Sequence, residues 1–164
     1  MEKLTKEIEK VFGNKLRVRV SGICSIDDEI LLVNHHSLGE MGTLWAPPGG
    51  GIDFGESAED TLIREFKEET GLNIEVTRFL FIHEFIQMPL HAIELFFEVK
   101  IVDGKLQKGL DPEMKKELQI INEVRFLEYT SIKNQDPKLY HNILNHCITL
   151  TDLLNTRGYI KFTA

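Results

Sequence analysis

Cysteine is scarce in this chain: only Cys24 and Cys147 occur among 164 residues. Two thiols so far apart supply neither a disulfide framework nor the paired spacing of a zinc site. Each also sits among apolar neighbours, where cysteine commonly serves as a small buried hydrophobe. Long apolar runs are missing too. No stretch approaches the ~20 residues of a membrane helix, and the N-terminal MEKLTKEIEKVFG alternates charges where a secretory signal would carry an apolar core. Basic residues are outnumbered, 19 Lys and Arg against 26 Asp and Glu, and the net charge is −7. That balance is the opposite of the basic stripe required by a broad nucleic-acid footprint. Repeats, low-complexity tracts and linkers are absent. These exclusions leave a cytoplasmic protein with no membrane and no nucleic-acid partner, built as one domain over residues 1–164. Its 42% hydrophobic content supports a core without covalent staples. A small phosphorylated partner stays compatible with the negative charge, because bound metal ions supply positive charge locally.

The pattern that is present mixes strand and helix periods. Residues 4–12 suit a short amphipathic helix ended by Gly13-Asn14. From Leu16 to Ile26, Leu16, Val18 and Val20 alternate with Arg17, Arg19 and Ser21, as in a strand. Asp27-Asp28 turns the chain into a second strand from Glu29, which predicts a hairpin. Residues 37–44 have turn character and lead to Trp45 and a Pro48-Gly49-Gly50-Gly51 turn. A helix is expected from about Ser57 to Thr70 with Gly71 as its C′ residue, packing through Ile63 and Phe66 with Leu62 beside them. Strand-like runs follow at 74–87, 91–102 and 123–129. Between the last two, the polar segment 104–122 is long enough to be a functional loop, with a helical turn near 112–118. Asp136-Pro137 predicts the start of a C-terminal helix to about Asn155, stopped by Gly158. Together these elements define one mixed α/β domain.

One feature stands out on the central helix. Glu65, Glu68 and Glu69 fall at i, i+3 and i+4, so three carboxylates share one face. Such like-charge pairs repel by roughly 0.2–0.5 kcal/mol each, and a purely structural helix gains nothing from them. A hard divalent cation reverses the sign. On spacing alone, a metal site and a solvated acidic face stand about equal.

The surrounding residues extend this face into a motif. Gly50-x5-Glu56-x7-Arg64-Glu65-Phe66-x-Glu68-Glu69-x-Gly71-Leu72 fills every specified position of the box of the Nudix hydrolases, the MutT-like pyrophosphohydrolases, which the chain resembles. The lead-in Trp45-Ala46-Pro47-Pro48-Gly49 is also similar to that family's approach to its box. The resemblance implies a Nudix-type α/β/α sandwich with a mixed β-sheet. It further implies a Mg²⁺-dependent pyrophosphohydrolase, with Mn²⁺ as an alternate ion, cleaving a nucleoside diphosphate linked to another moiety. By that resemblance Glu65, Glu68 and Glu69 are metal ligands and the Gly50 carbonyl is a further one. Oxygen donors of this kind suit magnesium better than His or Cys would.

Other roles are expected around this centre. Arg64 lies at i+4 from Glu68 and is placed to orient carboxylates. Glu56, at the helix start, is favoured by the free amides there and serves the architecture. For the general base, the resemblance offers either Glu65 or a later loop acid. Of Glu113, Glu117 and Glu123, the last best resembles that acid. Arg17 and Arg19 share a strand face and are tentative phosphate contacts, with an exposed sheet edge as the alternative. Trp45 suits a base platform or a packed aromatic beside the glycine turn, packing being the simpler role. The six histidines show no ligand spacing. A homodimer is compatible with the chain. Two rivals remain: a nucleotide-sensing Nudix domain without hydrolysis, and an isomerase of the isopentenyl-diphosphate type, which needs a reactive cysteine in its cleft.

Overall fold

The computed structural model describes Lys10, residues 12–110 and residues 119–163. Most of the expected helix over 4–12, and the turn near 112–118 with Glu113 and Glu117, lie outside the described residues.

The hairpin forms as expected. Strand β1 (Lys15–Ile26) turns through Asp27, at φ 52°, into β2 (Glu29–His36). Short strands β3 (Thr43–Ala46) and β4 (Gly49–Gly51) lead to helix α1 (Ala58–Thr70). The long strands β5 (Leu72–Gln87) and β6 (Leu90–Gly104) follow, and then β7 (Ile121–Glu128). Helices α2 (Tyr129–Lys133), α3 (Asn142–His146) and α4 (Leu150–Asn155) and a last strand β8 (Gly158–Thr163) complete the chain. The sheet runs β3-β2-β1-β6-β5-β8, with β4 paired to β1 and β7 to β2. It is mixed, since β1 pairs β6 and β5 pairs β8 in parallel while the other pairings are antiparallel.

Strand alternation divides the core in two. On one face Val20, Cys24, Leu31, Phe97 and Val99 pack against Leu62 and Phe66 of α1. On the other, Ile23, Leu32, Phe81 and Phe96 meet Tyr129, Ile143, Leu144, Leu150 and Leu153 from α2, α3 and α4. Helices therefore cover both faces, as in the expected α/β/α sandwich. Gly22 admits the helix closely, because a Cβ there would overlap the Phe66 ring. Ile63 departs from expectation: it is 40% exposed, and Leu62 and Phe66 carry the contact.

The C-terminal helix is corrected. Its apolar residues follow a helical spacing, yet the chain forms a 3₁₀ turn (Pro137–Leu139) and two short helices. Asp136 caps the turn as expected. His141 then accepts the Ile143 N–H to cap α3, and Thr149 with Asp152 forms a complete capping box on α4. Each new cap needs an extended residue, and that residue ends the helix before it. Gly158 does more than stop a helix, since it opens β8, which extends the sheet beside β5. Among the described residues no helix is long and apolar enough to cross a membrane.

Candidate active site

Helix α1 is fixed at both ends. Ser57 accepts the Asp60 N–H at its start, and Gly71, at φ 75°, closes its end. With Leu62 and Phe66 anchored in the core, the neighbouring arc carries Glu65 and Glu69 to strand β4, where they are only 2% and 3% exposed. The Gly49 N–H donates to Glu69 Oε2 at 2.9 Å. Glu65 lies so close to Gly50 that a Cβ there would overlap its carboxylate, so only glycine admits this approach.

Arg64 organises the carboxylates. Its Nε and Nη2 donate to Glu56 Oε1 and Oε2 at 3.1 and 3.0 Å. Its Nη1 donates to Glu65 Oε1 at 2.8 Å and Glu68 Oε2 at 3.0 Å. The hydrogen bonds from Arg64, and a further one from Thr61, hold the Glu56 carboxyl below its ordinary range. Glu56 in turn, ahead of Glu65 and Glu68, raises the affinity of the guanidinium for its proton. The far end of α1 is also held, as Gln107, Gly109 and Leu110 donate backbone N–H groups to the carbonyls of Thr70, Glu69 and Glu68. That part of the predicted polar loop is thus a helix cap.

Beside the carboxylates a cavity of about 440 Å³ opens over the sheet face opposite α1. Gly50, Glu65, Glu69, Arg17 and Arg19 all line it. The sheet beneath it is laid in rows across the strands, of which Ser21, Arg19, Glu94, Arg17, Ala92, Phe85 and Phe162 line the cavity. Ser21, Phe96 and Phe81 form the first row, nearest the glycine strand. Arg19, Glu94, His83 and Ile160 form the second, and Arg17, Ala92, Phe85 and Phe162 the third. The Phe85 and Phe162 rings are parallel within 3° at 5.9 Å between centroids. Phe12 lies on the Arg17 guanidinium at 4.0 Å. Arg19 directs Nε to Glu94 Oε1 and Nη2 to the Gly49 carbonyl, each at 3.4 Å.

Other candidates stand apart. Glu68 is joined to Glu65 through Arg64 but does not line the cavity. Glu123 faces Asn34 across β7 and β2, 3.4 Å from Arg125, and is not a lining residue either. Val124 and Phe126 pack on the α1 side, so Glu123 and Arg125 share the sheet face over which the cavity opens, but they stand on β7, beyond β2, and not on the floor strands β1, β6, β5 and β8. Trp45 packs against the core with Arg125 over its ring at 5.2 Å, the packing role. Three residues that spacing did not single out do reach the site. His35 Nε2 is 3.8 Å from Glu69 Oε1, and His141 and Glu94 share the cavity wall.

The class is an α/β/α sandwich in which buried helical carboxylates are held against a glycine strand. The NUDIX domain family model matches residues 15–145, and the chain belongs to the Nudix family. It is 34% identical over 96 residues to an ADP-ribose pyrophosphatase of Methanocaldococcus jannaschii, covering 57% of this chain and 56% of that protein. It is 32% identical over 120 residues to an RNA pyrophosphohydrolase of a Sulfurovum species, covering 63% and 73%. The chain spans about half the length of the first curated relatives it matches, 56% and 45%. Among solved structures, a NUDIX hydrolase from Nitrosomonas europaea superposes with a TM-score of 0.67 at 21% identity, covering 82% of this chain and 86% of that one. That likeness supports the fold.

Proposed function

We propose that this protein is a divalent-metal-dependent pyrophosphohydrolase that cleaves a nucleoside diphosphate linked to another moiety, with Mg²⁺ as its ion and Mn²⁺ as an alternate. The observation that carries this reading is the pair of buried carboxylates, Glu65 and Glu69, pressed against Gly49 and Gly50 at the edge of a cavity lined by arginines. The donor set fits the ion: Glu65, Glu68, Glu69 and the Gly50 carbonyl offer oxygen only, and Gly50 leaves the space that a Cβ would fill. When bound, a divalent ion supplies charge neutralisation on phosphoryl oxygens and a more acidic water.

The chain's own groups supply the rest. Arg64 fixes the orientation of Glu65 and Glu68. Glu65 is preferred to Glu123 as proton acceptor, because it lines the cavity and Glu123 does not. Arg19 and Arg17 offer forked donors to phosphate oxygens. From Ser21 to Arg17 the floor runs about 13 Å at ~3.3 Å per residue, ending on the stacked Phe85–Phe162 pair. Aromatic side chains at that end suit contact with a nucleobase, and the small Ala92 lies beside Phe85 in register.

The isomerase rival loses support, since neither Cys24 nor Cys147 lines the cavity and burial pushes the Cys24 thiol up to about 11. Relatives named for RNA narrow the nucleic-acid expectation to the lack of a broad footprint, so a 5′-triphosphorylated RNA belongs among the substrates tested. The test is a nucleotide library with Mg²⁺ or Mn²⁺ and mass identification of both products. Cleavage at one phosphate anhydride is expected. Tight binding by calorimetry with no product would favour the sensing rival.

A further inference from the structure

Glu94 is a buried carboxylate, 6% exposed, in the middle row of the cavity floor. Its Oε2 lies 3.0 Å from His83 Nδ1 and 2.9 Å from His141 Nε2, and its Oε1 is 3.4 Å from Arg19 Nε. Donor atoms of His83, Glu94 and His141 all fall within 4.8 Å of one another, a spacing that would also suit a metal ion. Hydrogen bonding and ligation are therefore competing accounts of one cluster.

His141 decides between them. Its Nδ1 accepts the Ile143 N–H at 3.3 Å as the cap of α3. A neutral ring that accepts at Nδ1 carries its proton on Nε2, the atom that faces Glu94. That nitrogen is a donor and has no lone pair for a cation. Arg19 adds a second objection, because its positive charge already sits on the same carboxylate and would repel a divalent ion. His83 fits the same pattern: Nδ1 gives its proton to Glu94, and Nε2 is left buried without a hydrogen bond. Burial opposes the charge on Glu94. The His141, His83 and Arg19 donors outweigh it and keep the carboxyl well below its usual range.

We propose that Glu94, clamped by His83 and His141, is a positioning residue that fixes the Arg19 guanidinium as the phosphate receptor of this cavity. The proposal rests on reading the cavity as a phosphate-anhydride site. Arg19 is held from two sides, by Glu94 and by the Gly49 carbonyl, and the N–H of that same Gly49 binds Glu69. One chain of hydrogen bonds and an ion pair thus runs from the histidines through Glu94, Arg19 and Gly49 to the metal-side carboxylate. A guanidinium ordered beforehand loses less freedom when a phosphate arrives.

The test is a double-mutant cycle on Arg19→Ala and Glu94→Gln, read as KM and kcat with ADP-ribose and Mg²⁺, and as the Kd of ADP by calorimetry. Each single change is expected to raise KM and Kd about tenfold with kcat within about twofold, the pattern of lost binding that is shared by ground and transition states. The double variant should be no weaker than Arg19→Ala alone. Fully additive effects would overturn the proposal, as would one equivalent of zinc or manganese that copurifies with the wild type and is lost in His141→Ala. Should Glu94→Gln fail to fold by circular dichroism, Glu94→Asp takes its place in the cycle under the same criterion. A wild type that cleaves no nucleotide sinks the enzymatic reading separately, and the ADP affinities still decide the role of Glu94.

Discussion

Arg64 grips Glu56 with both arms of its guanidinium, Nε on Oε1 at 3.1 Å and Nη2 on Oε2 at 3.0 Å. With two nitrogens so engaged, the third reaches Glu65 and Glu68 at once. Arg64→Lys keeps the charge but replaces a planar fork by a single point. Activity is expected to fall by about 10–100-fold, the usual scale for a partner that orients metal ligands. Steady-state kinetics across a Mg²⁺ titration would check it, with a higher Mg²⁺ requirement as the accompanying sign.

Removing one charge from the ligand face should be more severe. Glu68→Gln and Glu69→Gln are nearly isosteric, and each is expected to lower kcat by at least about 100-fold. Far-ultraviolet circular dichroism should stay native. Wild-type turnover in both variants, with folding unchanged, would mean that these carboxylates hold no catalytic ion.

Gly50→Ala tests the cradle itself. The added Cβ would overlap the Glu65 carboxylate and push it out of place. Overpacking of this kind costs about 1–3 kcal/mol, which a denaturant melt would register. The Mg²⁺ concentration for half-maximal activity should rise as well, by about tenfold. A variant with normal Mg²⁺ dependence would detach Gly50 from the site.

Acid stability should report on Glu94. Its carboxyl is held well below the ordinary value of 4.5. A depressed folded value means that the unfolded chain binds the proton more readily. The contribution is therefore fully present above pH 4.5 and is lost as pH falls through the folded value. The stability gap between wild type and Glu94→Gln should be widest near neutrality and narrow on acidification. Melts at pH 7, 5 and 3 would measure it, and a gap independent of pH would contradict the assignment.

How much of this was legible in the sequence depended on how local each signal was. Helix α1 could be read almost to the residue, because Ser57, Gly71 and the three glutamates act within a few positions of one another. The C-terminal region misled for the same reason in reverse. Its apolar spacing is helical over a long span, whereas the caps at His141 and Thr149 decide the outcome locally. The cluster at Glu94 was out of reach. Its partners lie 11 and 47 residues away in sequence and meet only through strand register and the position of α3. The place of Glu123 before Val124 was clear, but the pairing of β7 on the far side of β2, which keeps Glu123 out of the cavity lining, follows only from the assembled sheet. Alternation along β1 was legible: it puts Arg17 and Arg19 on one face, and that face borders the cavity.

The rows of the cavity floor have one more consequence. The carboxylate end is assembled by α1 and β4, whereas the far row takes Phe162, Phe85, Ala92 and Arg17 from four separate strands. The two ends are built from different parts of one frame, one from a single helix and its glycine strand and the other from four strands. Residues 50–72 are contiguous and carry the carboxylates, whereas the far row brings together residues from 17 to 162, so one end of the cavity is written in a short segment and the other across the whole chain.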